Sequence, residues 1–268
     1  MSYKLIAVDL DDSLLGDDLN ISKRNKDALM EASKRGVVVT IATGRMYCSA
    51  LPYIEQLKLD VPVITYQGGL IKNTLSQEVL YHCPIPLDIA MAVIEKSVSD
   101  GAYLQVYVDD KYYMEEYNEY SELYRLNIGV AGTAVGPLDK FLKKPPTKML
   151  IIDEPSTILK MKEEYSKLFG DTLQVTISKP NYLELTNKDA TKGKALEYLA
   201  KSLKIDREEI IAIGDSYNDI PMIKYAGLGV AMGNAHEDVK KWADYVTLTN
   251  NEDGVAEVVY KFILEGGR

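Results

Sequence analysis

Apolar residues run from Leu5 to Val8 and end against Asp9, Asp11, Asp12 and Asp17. Such a run, closed by a polar turn, predicts a buried strand. Ser22 then opens a helical period with Ala28, Leu29, Ala32 and Met30 facing inward and Gly36 as its stop. "VVVTIATG" is an unbroken β-branched run of the kind buried on both faces of a parallel sheet. A helix over "MYCSALPYIEQLKL" and an apolar "VPVITYQGG" follow. Strand, helix, strand, helix, strand predicts an open parallel α/β sheet.

From about Pro84 to Asn187 the pattern changes. Alternating runs flank Asp109 and Asp110 as in a hairpin. Then come a strand at "TKMLIID", a helix from Ser156 to about Phe169, and strands "DTLQVTIS" and "YLELT" around a "KPN" turn. Helix followed by paired strands thus occurs twice. The parallel style returns with a helix over "DATKGKALEYLAKSLKI", then "EIIAIG", "GVAMGNA", a helix at "HEDVKKWA", a strand at "DYVTLT" and a final helix. The expected fold class is α/β: a Rossmann-like open parallel sheet core from residues 1–83 and 188–268, interrupted by an α+β cap domain at 84–187.

Composition narrows the function classes. The chain has 268 residues, of which 46% are hydrophobic and 26% charged, an ordinary globular balance. No apolar run approaches the roughly 20 residues that span a bilayer, and the first meets Asp9 too early for a signal peptide, so a cytoplasmic address and no membrane partner are expected. A net charge of −9 without a basic run argues against nucleic acid. Two cysteines, Cys48 and Cys83, cannot build a disulfide framework or a cysteine zinc site and read as packing residues. His82 and His236 lack metal-ligand spacing, Trp242 reads as packing at helical spacing from Val239, and "NNEDG" reads first as a cap for the last helix and second as a segment approaching the site. The tyrosines at 103, 107, 112, 113, 117, 120 and 124 suit sheet packing or the lining of a pocket.

Four polar motifs, "DLDDS", "ATGR", "TKGK" and "GDSYND", follow predicted strands or open predicted helices, where open α/β sheets bind ligands. The i, i+2 spacing of Asp9 and Asp11 sends both side chains to one side of an extended segment, and Asp215 and Asp219 join from another strand end. Carboxylates so focused repel one another unless a cation sits among them, and an oxygen-only set suits Mg²⁺ better than zinc. Thr43, the Gly44 amide, Lys192 and Asn218 are suited to hold phosphate oxygens. A carboxylate is able to attack phosphorus. These residues leave open a phosphomonoesterase, a phosphomutase using the same aspartyl phosphate, and a receiver-like signalling module.

At these positions the chain resembles the haloacid dehalogenase superfamily of phosphatases, and within it the Cof-type group with a large cap. The motifs appear in the family's order: Asp9 and Asp11, Thr43, Lys192, then Asp215 with Asn218 and Asp219. The resemblance implies Mg-dependent hydrolysis of a small phosphorylated metabolite, with Asp9 as nucleophile and Asp11 as the acid that protonates the leaving oxygen and then activates water. It implies Mg²⁺ held by the Asp9 carboxylate, the Asp11 backbone carbonyl and Asp215, with Asp219 orienting a metal-bound water. Phosphate would be cradled by the Leu10 amide, Thr43, Gly44, Lys192 and Asn218. The implied cap is a lid that selects the leaving group. Asp12 and Ser13 replace the family's usual Gly and Thr, and Gln67 with Gly68 replaces a frequent Asn-Gly pair, which leaves the role of side chain 67 open. Arg45 either steers an anion or pairs with a surface acid.

Overall fold

The computed structural model describes residues 2–58 and 60–266. It divides into two compact units, one built from both ends of the chain and one from His82–Ala190. The chain begins β1 (Leu5–Asp9), α1 (Lys23–Lys34), β2 (Val38–Ala42), α2 (Tyr47–Ile54), β3 (Pro62–Thr65), β4 (Leu70–Asn73) and β5 (Val79–His82). It continues with α3 (Leu87–Asp100), β6 (Tyr103–Val108), β7 (Lys111–Met114), α4 (Glu119–Ile128), β8 (Thr133–Ala134), α5 (Leu138–Phe141), β9 (Lys148–Ile152), α6 (Pro155–Phe169), β10 (Leu173–Lys179) and β11 (Tyr182–Asn187). It closes with α7 (Lys192–Leu203), β12 (Ile210–Gly214), α8 (Ile220–Tyr225), β13 (Leu228–Ala231), α9 (Glu237–Lys240), β14 (Tyr245–Val246) and α10 (Gly254–Val259).

In the first unit the sheet order is β14-β13-β12-β1-β2-β3-β4-β5. β1 lies at the centre, parallel to β2 and β12, with Leu5 opposite both Val38 and Ile210. All five of its residues are buried. Leu5 and Ala7 pack with Ala195, Leu196 and Leu199 of α7 and Met222 of α8. Ile6 and Val8 point to the opposite face by strand alternation and are equally buried, so the sheet is covered on both sides. The start of α1 follows the expected chemistry: the Ser22 hydroxyl accepts the Asn25 N–H, and Gly36 takes a left-handed φ of +86°. Ala28, Leu29 and Ala32 are buried, while Met30 is half-buried.

Several expectations are corrected here. β4 runs antiparallel to β3, and with β5 it extends the sheet beyond the predicted third strand. Both are four residues long, too short for a periodic signal. The helix expected through residue 59 is α2 and a tight turn ending at Leu57, and Leu59 lies outside the described residues. Trp242 is not a buried packing residue: α9 ends at Lys240, and the ring is half-exposed, with the Lys224 ammonium 3.9 Å from its centroid. Asp253 stands at the start of α10 without a capping side-chain bond. The "NNEDG" segment instead holds other parts of the chain: Asp253 accepts the Ser22 hydroxyl at 2.5 Å, and Asn250 donates to the Leu15 carbonyl at 3.1 Å.

The second unit carries a sheet of order β10-β11-β9-β6-β7-β8. Asp109 and Asp110 both take positive φ between β6 and β7, as a two-residue hairpin turn requires. One face buries Val106, Met149, Ile151 and Leu183 against Val93 and Ile94 of α3 and Ile158 of α6. The opposite face mixes polar groups with buried Leu150, Ile152 and Met114. There Lys148 and Glu184 form a buried ion pair at 2.8 Å, and the Tyr107 hydroxyl lies 2.9 Å from Gln105 and 2.7 Å from the Tyr124 hydroxyl of α4. The predicted tyrosine cluster is thus partly a packed network, with Tyr112 edge-on to Tyr124, while Tyr117 stays exposed.

The turn after β3 has the most constrained backbone of the first unit. Tyr66, Gln67 and Gly68 have consecutive φ values of +53°, +60° and +108°. A β-carbon on Gly68 would lie 2.2 Å from the Thr191 carbonyl oxygen, so this turn sits against the start of α7. Gly68→Ala is expected to destabilise the protein by about 2–4 kcal/mol, read from the urea midpoint at unchanged m-value.

Candidate active site

β1, β2 and β12 are adjacent parallel strands, so the loops leaving their carboxyl ends emerge side by side. Asp9 is the last residue of β1, Thr43 directly follows β2, and Asp215 directly follows β12. Lys192 is the first residue of α7, where the Thr191 hydroxyl caps the helix by accepting the Lys194 N–H.

The Lys192 ammonium lies 2.5 Å from Asp9 Oδ1 and 2.6 Å from Asp219 Oδ1, and its side chain is fully buried. Asp219 Oδ2 accepts the backbone N–H groups of Asp215 and Ser216 at 3.1 and 3.0 Å. Both oxygens of Asp219 are therefore engaged by protein donors, so its clearest task is to hold Lys192 and the loop after β12. Asp215 is less buried and accepts the Ser13 hydroxyl at 3.1 Å. Ser13 thus uses its hydroxyl in the site despite the departure from the usual Thr.

Asp9, Asp215 and Asp219 each offer a carboxylate oxygen within 4.8 Å of the others. One ammonium faces three acids, and the excess negative charge shows in the titration of the site. Burial, then repulsion from Asp219, holds the Asp9 carboxyl well above the usual carboxylate range, against the pull of Lys192. The same two causes push Asp215 up to about 6. Burial alone would lower Lys192, but the charges of Asp219 and Asp9 outweigh it and raise the ammonium above its ordinary value. A divalent cation beside Asp9 and Asp215 would relieve this repulsion, and an oxygen-only donor set fits a hard one.

The structure leads the Asp11 side chain away from that cluster. Arg45 donates from Nε to both carboxylate oxygens at 3.0 Å and from a terminal nitrogen to Oδ1 at 2.5 Å. Of the two readings of Arg45, pairing with an acid is the one observed, and the acid is Asp11. Asp12 takes φ +57° and is exposed, as are Asp17 and Asp18. Thr43 is buried with its hydroxyl oxygen accepting the Arg45 N–H at 3.1 Å, and Leu10 is buried directly after Asp9. Asn218 donates its amide to Gln67 Oε1 at 2.9 Å. The motifs did not name Gln67 as a site residue; the Gln-Gly pair at the end of a predicted strand was the available signal. His82 contacts Thr147 at 2.9 Å and His236 packs against the Tyr217 ring, both outside the acid cluster.

A model of the haloacid dehalogenase-like hydrolases matches residues 6–259. The chain belongs to that family. It is 36% identical to the crystal structure of TM0651 from Thermotoga maritima, with a TM-score of 0.90 and 97% of each chain covered. It is 30% identical to 5-amino-6-(5-phospho-D-ribitylamino)uracil phosphatase YitU of Bacillus subtilis, over 96% of this chain and 97% of that one. The subclass IIB sugar phosphatase BT4131 superposes with a TM-score of 0.79 at 27% identity, covering 97% and 98% of the two chains. The expected family and α/β fold class are the ones found. No helix among the described residues is long and apolar enough to cross a membrane.

The Lys192 contacts carry a stability consequence. Lys192→Met removes the ammonium bonded to both Asp9 and Asp219 and leaves two buried carboxylates facing each other. A loss of about 3–5 kcal/mol in metal-free buffer is expected by urea unfolding.

Proposed function

We propose that this protein hydrolyses small phosphomonoesters with Mg²⁺ through an aspartyl phosphate on Asp9. The observation that carries the reading is the strand-end carboxylate Asp9, bonded to a buried ammonium and lying beside the oxygen donors of Asp215. Membership of the hydrolase family and the phosphatase names of its relatives support it.

In the proposed reaction an Asp9 carboxylate oxygen attacks phosphorus, the bond from phosphorus to the ester oxygen breaks, and Asp11 gives that oxygen its proton. Asp11 then takes a proton from water, whose oxygen attacks phosphorus and releases the Asp9 carboxylate with inorganic phosphate. To act in the first half, Asp11 turns a carboxyl oxygen out of the Arg45 fork, which the partial exposure of both side chains permits. Lys192, the Leu10 and Gly44 amides, Thr43 and Asn218 hold the phosphoryl oxygens and absorb their developing charge. Asp9, Asp215 and the Asp11 carbonyl would hold Mg²⁺, with Asp219 steadying the site behind them. When bound, the ion supplies positive charge that screens the attacking carboxylate from the phosphoryl oxygens.

A sugar phosphate or a related metabolite is the substrate class proposed. The names of YitU and BT4131 point that way. The insert is proposed as the element that selects it.

Asp9→Asn is expected to cut phosphate release from an aryl phosphate on the order of 10⁴-fold or more while the far-ultraviolet circular dichroism stays native. Substantial release by that variant would overturn the assignment of the nucleophile. Chelation with EDTA is expected to stop release by the native protein, and added Mg²⁺ to restore it. A screen of phosphorylated metabolites, read as released phosphate, then identifies the leaving group.

A further inference from the structure

Gln67 is held where few glutamines are found. Its φ of +60° and ψ of +15° lie in the left-handed region, which Asn enters more readily because its shorter amide bonds to nearby backbone. Tyr66 before it is also left-handed. Strain of this kind persists only where surrounding contacts offset it, and it gathers at functional sites.

The backbone contacts come from two of the four motifs. The Tyr66 N–H donates to the Arg45 carbonyl at 2.9 Å, and the Gln67 N–H donates to the Thr43 carbonyl at 3.2 Å. Gly68 lies against the Thr191 carbonyl, one residue before Lys192. The Gln67 side chain then reaches a third motif, "GDSYND", where its Oε1 accepts the Asn218 amide at 2.9 Å. That bond orients the carboxamide. Its oxygen turns to Asn218 and its nitrogen toward Gly44, so closely that a β-carbon on Gly44 would lie 2.3 Å from Gln67 Nε2. Position 44 therefore admits this amide only as glycine, and the Gln67 N–H₂ group stands beside the backbone proposed to bind phosphate.

We infer that Gln67 is a further binding residue for the phosphoryl group: its Oε1 positions Asn218, and its Nε2 donates to a phosphoryl oxygen beside the Gly44 amide. The inference rests on the proposed phosphatase reading. It gives the left-handed turn a purpose, which is to deliver a neutral donor between the Thr43 and Asn218 loops. A glutamine serves there because its second methylene extends the carboxamide from the turn to Asn218.

The test is binding of inorganic phosphate, measured by calorimetry at one fixed Mg²⁺ concentration, together with KM and kcat for an aryl phosphate. Gln67→Met keeps the length and removes the amide; it is expected to weaken phosphate binding roughly tenfold and raise KM by a similar factor, with kcat changing less. Gln67→Glu still accepts from Asn218 but brings a negative charge and no N–H. Its loss is expected to exceed that of Gln67→Met and to deepen as salt is lowered. Gln67→Asn suits the left-handed turn at least as well, so its melting temperature is expected to match or exceed the native one while phosphate binding still weakens. Phosphate affinity within twofold of native in the folded Glu and Asn variants would overturn the inference. Calorimetry needs no turnover, so the two readings separate. A protein whose phosphate affinity responds to position 67 but which hydrolyses no phosphomonoester would refute the phosphatase reading alone.

Discussion

The site depends on one buried ammonium. Lys192 is anchored at the first residue of α7 and ends between Asp9 of β1 and Asp219 of the β12 loop, so it joins elements nearly two hundred residues apart in sequence. Removing a charge from water is costly unless its partners are close and themselves hydrogen-bonded. Here they are: Asp219 spends its second oxygen on two backbone N–H groups, which ties the loop carrying Asp215 to the same cation. The geometry of the acid cluster thus follows from satisfying Lys192. The cluster still holds more negative than positive charge, and that imbalance is what suits it to a divalent ion.

The parallel core was legible because its strands are long apolar runs buried on both faces, and because each ends in a polar turn. Asp9, Thr43, Lys192 and Asp215 could be placed for the same reason: a strand end or a helix start locates a side chain without knowledge of tertiary contacts. β4 and β5 were not legible, since four residues carry too little period, and Trp242 was misread because helical spacing was extended past the end of a four-residue helix. Within the site, the hidden residues are those whose position depends on loop conformation. The Arg45 fork on Asp11 and the Gln67 contact with Asn218 each join two loops, and no local pattern announces such a meeting.

The insert shows the same division. Its hairpin was marked by two aspartates able to take positive φ, and its apolar face by strand alternation. Its polar face was ambiguous, because tyrosines serve equally in packing and in binding. The structure assigns them unevenly: Tyr107, Tyr112 and Tyr124 are buried in one network, and a buried Lys148–Glu184 pair lies on the same sheet face. Leu150, Ile152 and Met114 are buried among them, so that face is part apolar core and part polar network.

Two cations at the candidate site, Lys192 and Arg45, treat their acids differently, and the difference matches the proposed roles. Lys192 is buried and bonded to two carboxylates, so Asp9 is held in one place. Arg45 and Asp11 remain 27% and 42% exposed, where water and salt weaken an ion pair and its release costs little. A nucleophile needs a fixed approach to phosphorus, whereas a group that first donates and later accepts a proton must move between two oxygens. Burying both pairs would immobilise the acid; exposing both would let the nucleophile drift and lose the low-dielectric surroundings that strengthen the contact with Lys192. One buried pair and one partly exposed pair, on adjacent strand ends, satisfies both demands with the same kind of interaction.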